Sequence, residues 1–270
     1  MRHFLASILV ILVAPFLTGC FGSSSSSSGS GSVNGDSGTS DASPGGYYAG
    51  AQTIPGEGSL NLLGIVTEDG RFHFVREDGA QYFGNVSVSG QNATGSYQGV
   101  LAIGDQFPDG SNSGSGSLDL HVDERASIEG DFTFTTDQGT TDEGTIELMY
   151  DDGYERESSF ATISGNYTDA DEPNRDALSI DDTGMISYQD WPTNCVGNGQ
   201  VDLIDENFNA YEVEFTFNNC DGDEAVLNGE TFTGLATLDD SFMPEELILG
   251  LTGNTAGHAV SLVAFYARND

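Results

Sequence analysis

The sequence predicts an all-β protein, because polar and apolar residues alternate along many of its segments and turn-forming pairs stand between those segments. Residues 118–122 and 211–217 alternate without interruption, as expected for strands that bury one face and expose the other. Hairpin turns are predicted at Asp69-Gly70, Asp78-Gly79, Asp152-Gly153 and Asp221-Gly222. No segment has convincing helical periodicity, and we expect at most one helical turn, at Pro244.

The strand pattern divides into two similar halves. Gly46-Tyr47-Tyr48 resembles Gly165-Asn166-Tyr167, and each triplet is followed by an apolar strand, an acidic turn that ends in Gly, and another strand. Each half has room for about eight strands, a number that can close into a small antiparallel up-and-down barrel without exposed edges. We therefore predict two tandem barrel-like domains, at residues 46–158 and 159–270. A β-sandwich or a single larger β-structure is the alternative.

The N-terminal residues have the features of an export signal. A short basic start is followed by an apolar run at residues 4–17, which is too short for a comfortable membrane span but has the length of a signal-peptide core. The run ends in Leu17-Thr18-Gly19-Cys20, which resembles the lipobox of bacterial lipoproteins. That resemblance implies a signal peptide at residues 1–19 that is cleaved, and fatty-acyl chains such as palmitate on Cys20. Phe21 in place of Asp after the cysteine implies outer-membrane sorting, on the periplasmic face or the cell surface.

Residues 20–45 follow as a lipidated cysteine and a tether composed almost entirely of Ser, Gly, Asp and Thr. Such a composition cannot bury apolar surface, so the sequence predicts a disordered linker. A flexible coil of this length has a root-mean-square reach of about 28 Å. We therefore expect the lipid to be the membrane contact, with the folded part held at a distance.

The chain is strongly acidic, with 43 Asp and Glu against seven basic residues and a formal net charge of −36. This sign excludes an electrostatic footprint for nucleic acid. The acidity is interpreted as an adaptation to salt, with a cation-binding surface as the alternative. The acidic turns at residues 151–153, 169–172 and 221–224 could offer oxygen ligands to Ca²⁺, but none fits an EF-hand loop, and solvated turns are the prediction.

Two cysteines remain after Cys20, and they flank one predicted hairpin. Cys195 and Cys220 are expected to lie opposite each other at its open end, and an even pair in an exported protein predicts a disulfide. Trp191 is expected to pack in the core, over the disulfide or at a barrel mouth. His73 and His121 alternate with apolar neighbours, which places them on the outward polar faces of their strands.

No motif in the sequence predicts catalysis, a metal site or a cofactor. Two functions remain: a non-catalytic interaction or structural module that contacts another envelope protein or the cell surface, and a carrier of a small apolar ligand. The globular part loosely resembles the small β-barrel domains of Gram-negative surface lipoproteins and of lipocalins. This resemblance is one of architecture, and no binding residue follows from it. The two functions differ in whether the barrels are filled by side chains or hold a large cavity.

Overall fold

The computed structural model describes residues 40–269. Within this range the chain forms two closed barrels of eight antiparallel strands each, joined in sequence order. The prediction of an all-β fold with two tandem up-and-down barrels is therefore confirmed. The predicted signal peptide, Cys20 and most of the predicted tether lie outside the described residues.

The first barrel contains eight strands, each hydrogen-bonded to the next and the last to the first. They are β1 (Gly46–Ile54), β2 (Gly58–Val66), β3 (Arg71–Arg76), β4 (Gln81–Ser89), β5 (Asn92–Val100), β6 (Ser113–Asp123), β7 (Ser127–Thr136) and β8 (Thr141–Asp151). Along β6, Leu118, Leu120 and Val122 are buried while Asp119 and His121 are exposed, as the alternation predicted.

The second barrel repeats the same plan, with the last strand paired to the first. Its strands are β9 (Gly165–Asp169), β10 (Asp176–Ile180), β11 (Met185–Asp190), β12 (Val196–Leu203), β13 (Tyr211–Asn218), β14 (Thr231–Asp239), β15 (Glu246–Thr255) and β16 (His258–Asn269). A linker at residues 152–164 joins the barrels and contains a 3₁₀ turn (Asp152–Glu155) and the short helix α1 (Phe160–Ile163).

Helical turns occur at places that the sequence analysis did not predict. The helical turn expected at Pro244 is wrong, because Glu246 already begins β15. Asp152-Gly153 and Asp221-Gly222 are not hairpin turns: each lies at the start of a 3₁₀ turn, Asp152–Glu155 in the linker and Gly222–Leu227 between β13 and β14.

Equivalent residues support the two-fold repeat. Tyr48 and Tyr167, both fully buried, donate hydrogen bonds from their hydroxyls to the carbonyls of Pro44 and Ile163, each four residues earlier, at 3.1 and 2.6 Å. In each barrel, this bond ties the segment that precedes the first strand to the end of the barrel where that strand begins. We call this end of each barrel the near end and the opposite end the far end.

The acidic turns of the two halves are also equivalent. Gly70 and Gly184 have φ values of 85° and 83° and follow the second strand of their barrels. A Cβ at these positions would lie 2.2 Å from the Val86 carbonyl oxygen and 2.5 Å from that of Val201. Both the left-handed backbone and the close approach therefore require glycine.

The two barrels pack against each other along their sides. The outward residues Ile65, His73 and Phe83 form one cross-strand row on β2, β3 and β4. A second row, Glu212, Leu235 and Gly250, crosses β13, β14 and β15. Ile65 and Leu235 share an apolar cluster with Tyr154 of the linker, and the Arg71 Nη1 lies 3.2 Å from the Glu212 Oε1.

His73 lies in this contact and corrects the sequence analysis. Its ring points outward from the first barrel, as predicted, but it is only 5% exposed because the second barrel covers it. A Cβ on Gly250 would lie 3.0 Å from the His73 Cδ2, so the second barrel approaches the ring closely. The His73 Nε2 lies 2.6 Å from the Gln81 Oε1, and burial lowers the pKa of His73 to about 4.

The chain reaches the first barrel at its near end. Residues 41–45, which the sequence analysis placed in the tether, lie against the near-end turns of this barrel. The Ala42 amide donates to the Gly90 carbonyl at 2.7 Å, and the Gly90 amide donates to the Asp41 carboxylate at the same distance. Among residues 40–269, no helix has the length and apolar character needed to cross a membrane.

Candidate functional site at the far end of the second barrel

Three loops meet at the far end of the second barrel, at residues 170–175, 191–195 and 219–230. They connect β9 to β10, β11 to β12 and β13 to β14, so strand direction brings them to one end of the barrel. We call this set of loops the disulfide rim. Loops on a rigid barrel are a common location for binding residues.

A covalent bond and backbone hydrogen bonds hold the rim together. Cys195 and Cys220 lie at disulfide distance, as predicted, with Cα atoms 3.9 Å apart. The Cys220 amide donates to the Asn228 Oδ1 at 2.7 Å, and the Asn228 Nδ2 donates to the Cys220 carbonyl at 2.9 Å. The Asp221 amide donates to the Thr193 carbonyl at 2.8 Å, which joins the second and third loops again. The buried Leu227 of the third loop packs with the core of this barrel.

One guanidinium lies among three carboxylates, two in the rim loops and one at the last residue of β11. Nitrogens of Arg175 lie 3.6 Å from Glu172, 3.9 Å from Asp190 and 3.5 Å from Glu224. Partial burial disfavours the charged form of Arg175, but the carboxylates outweigh this effect and raise its pKa. The cluster carries more negative than positive charge. Asp221 and Asp223 are exposed in the loop that carries Glu224 and add to this charge.

Asp190 is the buried member of this cluster. Its side chain is 2% exposed, and its Oδ1 has no hydrogen-bond partner among the described residues. The Thr193 hydroxyl lies 2.8 Å from both the Asp190 Oδ2 and the Glu224 Oε2. A hydroxyl donates only one proton, so it can serve as donor to only one of these carboxylates. Negative charge at the rim is therefore incompletely compensated by hydrogen bonds.

A second buried carboxylate lies beside Asp190 in the barrel mouth. Asp176 is paired with Asp190 in the β10–β11 register. The hydroxyls of Tyr188 and Tyr266 donate to its Oδ2 at 3.0 and 3.2 Å. Burial raises the pKa of Asp176 although these hydrogen bonds oppose the shift. Tyr266 is buried, Tyr188 is partly buried, and both pack with the core of this barrel.

Trp191 is exposed, which contradicts the expected core position. Its side chain is 53% exposed, and the nearby Val226 is 46% exposed. Trp191 lies in the turn that follows Asp190, the buried last residue of β11, so it is not on the inner face of that strand. The Trp191 amide donates to the Arg175 carbonyl at 3.2 Å, which fixes its backbone to the first loop.

The far end of the first barrel is closed differently. Its long loop at residues 101–112 occupies the place that residues 219–230 occupy in the second barrel. Asp109 in this loop accepts hydrogen bonds from Ser111 and Thr136, which hold the pKa of Asp109 well below its usual value. Phe107 covers Phe134 with ring centroids 5.3 Å apart. This loop therefore closes its own barrel with an aromatic side chain.

The barrel interiors are filled by side chains. In the first barrel, Tyr82, Tyr97 and Phe134 contact one another with centroids 5.7 to 6.0 Å apart. Two cavities among the core side chains of this barrel, both lined in part by Phe72 and Phe74, have volumes of about 10 Å³ each. A cavity of that size is close to the lower limit for one water molecule. In the second barrel, Phe215, Phe217 and Phe232 form a similar set of edge-to-face contacts.

The acidic turns form local hydrogen bonds. The Asp169 Oδ1 accepts from the amides of Asp171 and Glu172 at 2.8 and 2.7 Å, and the Asp151 Oδ1 accepts from the Gly153 amide at 2.8 Å. Across residues 40–269, no three His, Cys, Asp or Glu side chains are grouped in a way that could hold a metal ion.

Comparison with protein-family models and with curated proteins finds no match to this chain.

Proposed function

We propose that the chain is a lipid-anchored, non-catalytic protein of the outer membrane whose two-barrel head is an interaction or structural module of the envelope or cell surface. The observation that carries this proposal is the filling and closure of the barrels. Tyr48 and Tyr167 hold the near ends, Phe107 and Leu227 cover the far ends, and aromatic side chains occupy the space between. The outer surface and the loops are left for function.

A carrier of an apolar ligand would need a different interior. Ligand pockets have volumes of roughly 300 Å³ or more, whereas two cavities inside the first barrel measure about 10 Å³ each. We expect a fluorescent fatty acid titrated into the purified full chain to give no saturable signal. Saturable uptake at one site per chain would contradict the module and favour the carrier.

Attachment through Cys20 is the other part of the proposal. Residues 41–45 reach the first barrel at its near end, which is consistent with a tether that approaches from that side. Cells that express the chain should incorporate labelled palmitate into it, and Cys20→Ser should abolish the label. Labelled fatty acid on the Ser variant would contradict the lipobox interpretation. A Ser substitution at Cys195 is not a suitable control, because it breaks the disulfide; Ser24→Ala in the tether is the matched control.

A further inference from the structure

We infer that the disulfide rim binds a cationic, arginine-containing segment of a partner protein, with Trp191 as the aromatic contact. This inference rests on the proposed function, since it assigns a surface and a partner chemistry to the interaction module. Three features of the rim carry it: the exposure of Trp191, the rigidity of the loops and the excess of negative charge.

The first feature is the exposed tryptophan. Trp191 is the single tryptophan of the chain, and 53% of its side chain is accessible beside Pro192. Large exposed aromatic residues on a fixed surface are the residue type that contributes most to protein interfaces. Met149, Met185, Val226 and Met243 are the other large apolar residues exposed in residues 40–269, and of these Val226 also belongs to the rim.

The second feature is preorganisation. The loop that carries Trp191 is bound to the third loop through the disulfide between Cys195 and Cys220. It is bound to the first loop by the hydrogen bond from the Trp191 amide to the Arg175 carbonyl. Thr193 and Asn194 add side-chain bonds to Glu224 and Asp221 at 2.8 and 2.9 Å. A surface that is ordered before binding loses little conformational entropy in the complex. The rim is therefore suited to recognition without rearrangement.

The third feature selects the partner. Glu172, Asp190 and Glu224 surround the guanidinium of Arg175. Asp221 and Asp223 are exposed in the loop that carries Glu224. An arginine side chain of a partner can pair with the exposed carboxylates of Asp221 and Asp223 and stack on an indole ring, which attracts a cation through its π face. A second copy of this chain carries the same net charge of −36 and would be repelled. The complementary occupant is a cationic segment.

The inference can be tested with a defined probe. The full chain is purified in detergent and titrated with a fluorescein-labelled peptide of alternating Arg and Ala, at an ionic strength of about 0.15 M, where attraction beyond about 8 Å is screened. Peptide anisotropy measures affinity, and the emission of Trp191 reports contact at the rim because no other tryptophan is present. We expect the emission to change along the same saturation curve as the anisotropy.

Variants separate rim binding from diffuse attraction. Trp191→Ala should weaken binding by at least about fivefold. Met243→Ala, which removes a side chain that is 94% exposed between β14 and β15, should leave the affinity unchanged. Asp223→Asn should weaken binding more than Asp119→Asn on the wall of the first barrel. Circular dichroism and mapping of the Cys195–Cys220 bond verify that each variant is folded.

Equal affinity for the wild type and Trp191→Ala, or constant tryptophan emission at saturation, would overturn the inference and show attraction to the acidic surface in general. Absence of measurable binding would overturn it as well. None of these three results contradicts the proposed function, whose own tests are palmitate labelling at Cys20 and the fatty-acid titration.

Discussion

Because His73 is buried between the two barrels, we predict that mild acid destabilises their contact. The ring lies between Phe83, whose ring centroid is 5.8 Å away, and Gly250 of the second barrel. Its hydrogen-bond partner is the uncharged Gln81, and its cross-strand neighbour Ile65 is apolar. The charged residues Arg71 and Glu212 of this interface pair with each other. Protonated His73 would therefore be a buried charge without an anionic partner.

The magnitude follows from the pKa of His73. Burial lowers this pKa from 6.5 to about 4, so the unfolded chain binds a proton at a higher pH than the folded chain does. The free energy of unfolding then falls by about 1.4 kcal/mol per pH unit as the pH decreases from about 6.5 to about 4. Below about pH 4 it no longer changes through this residue. Between pH 7 and pH 5 the expected loss is about 2 kcal/mol.

Comparison with a variant isolates this contribution from the many carboxylates. His73→Gln is uncharged at every pH and retains hydrogen-bonding groups, so its stability should lack the His73 titration. Urea unfolding of both proteins at pH 7 and pH 5 gives the difference, and we expect the wild type to lose about 2 kcal/mol more than the variant. His121→Gln, on the exposed wall of the first barrel, is the control and should behave as the wild type does. Parallel pH dependence in the wild type and His73→Gln would refute the reasoning.

Three further predictions concern stability. Gly184→Ala should destabilise the fold by about 2 kcal/mol or more, because the new Cβ would lie 2.5 Å from the Val201 carbonyl oxygen. Gly79→Ala is the control: Gly79 has a φ of 87° but no atom within 4 Å of a Cβ, so this variant should lose less stability in the same thermal melts. Removing the bond between Cys195 and Cys220, which are 25 residues apart, should cost about 3.5 kcal/mol in urea unfolding, and an unchanged midpoint would contradict a structural role. The melting temperature should rise between about 0.01 M and about 1 M NaCl as the Debye length falls from about 30 Å to about 3 Å, with KCl acting equally; strong stabilisation by millimolar CaCl₂ alone would indicate specific sites instead.

The fold could be predicted because its determinants are local. Alternation in β6 and β13, and glycine turns such as Gly70 and Gly184, are read within a few residues of the chain. The same signals recur in both halves, so the repeat was visible as well. Closure into barrels followed from strand number and the cost of exposed edges.

The contact between barrels could not be predicted from alternation. Alternation distinguishes inner from outer faces, but it does not tell whether an outer face meets solvent or another domain. The available signal was a run of apolar residues without alternation at 247–251 in β15, where both faces are buried. Gly250, the residue that approaches the His73 ring, belongs to this strand. The disulfide rim could not be predicted for another reason: Glu172 and Arg175 are distant from Glu224 in the sequence, and closure of the barrel brings them together beside Asp190.

The difference between the equivalent long loops indicates which far end is available to a partner. In the first barrel, the loop at 101–112 contacts the second barrel: Leu101 accepts from the Ser261 amide at 3.1 Å, and Asn112 donates to the Ala259 carbonyl at 2.9 Å. In the second barrel, the loop at 219–230 is tied to its own neighbours through Cys220 and Glu224. The repeat thus supplies one loop that joins the barrels and one that is fixed at the surface beside Trp191. A two-barrel head built in this way presents the exposed Trp191 at the far end, opposite to the near end where the chain arrives.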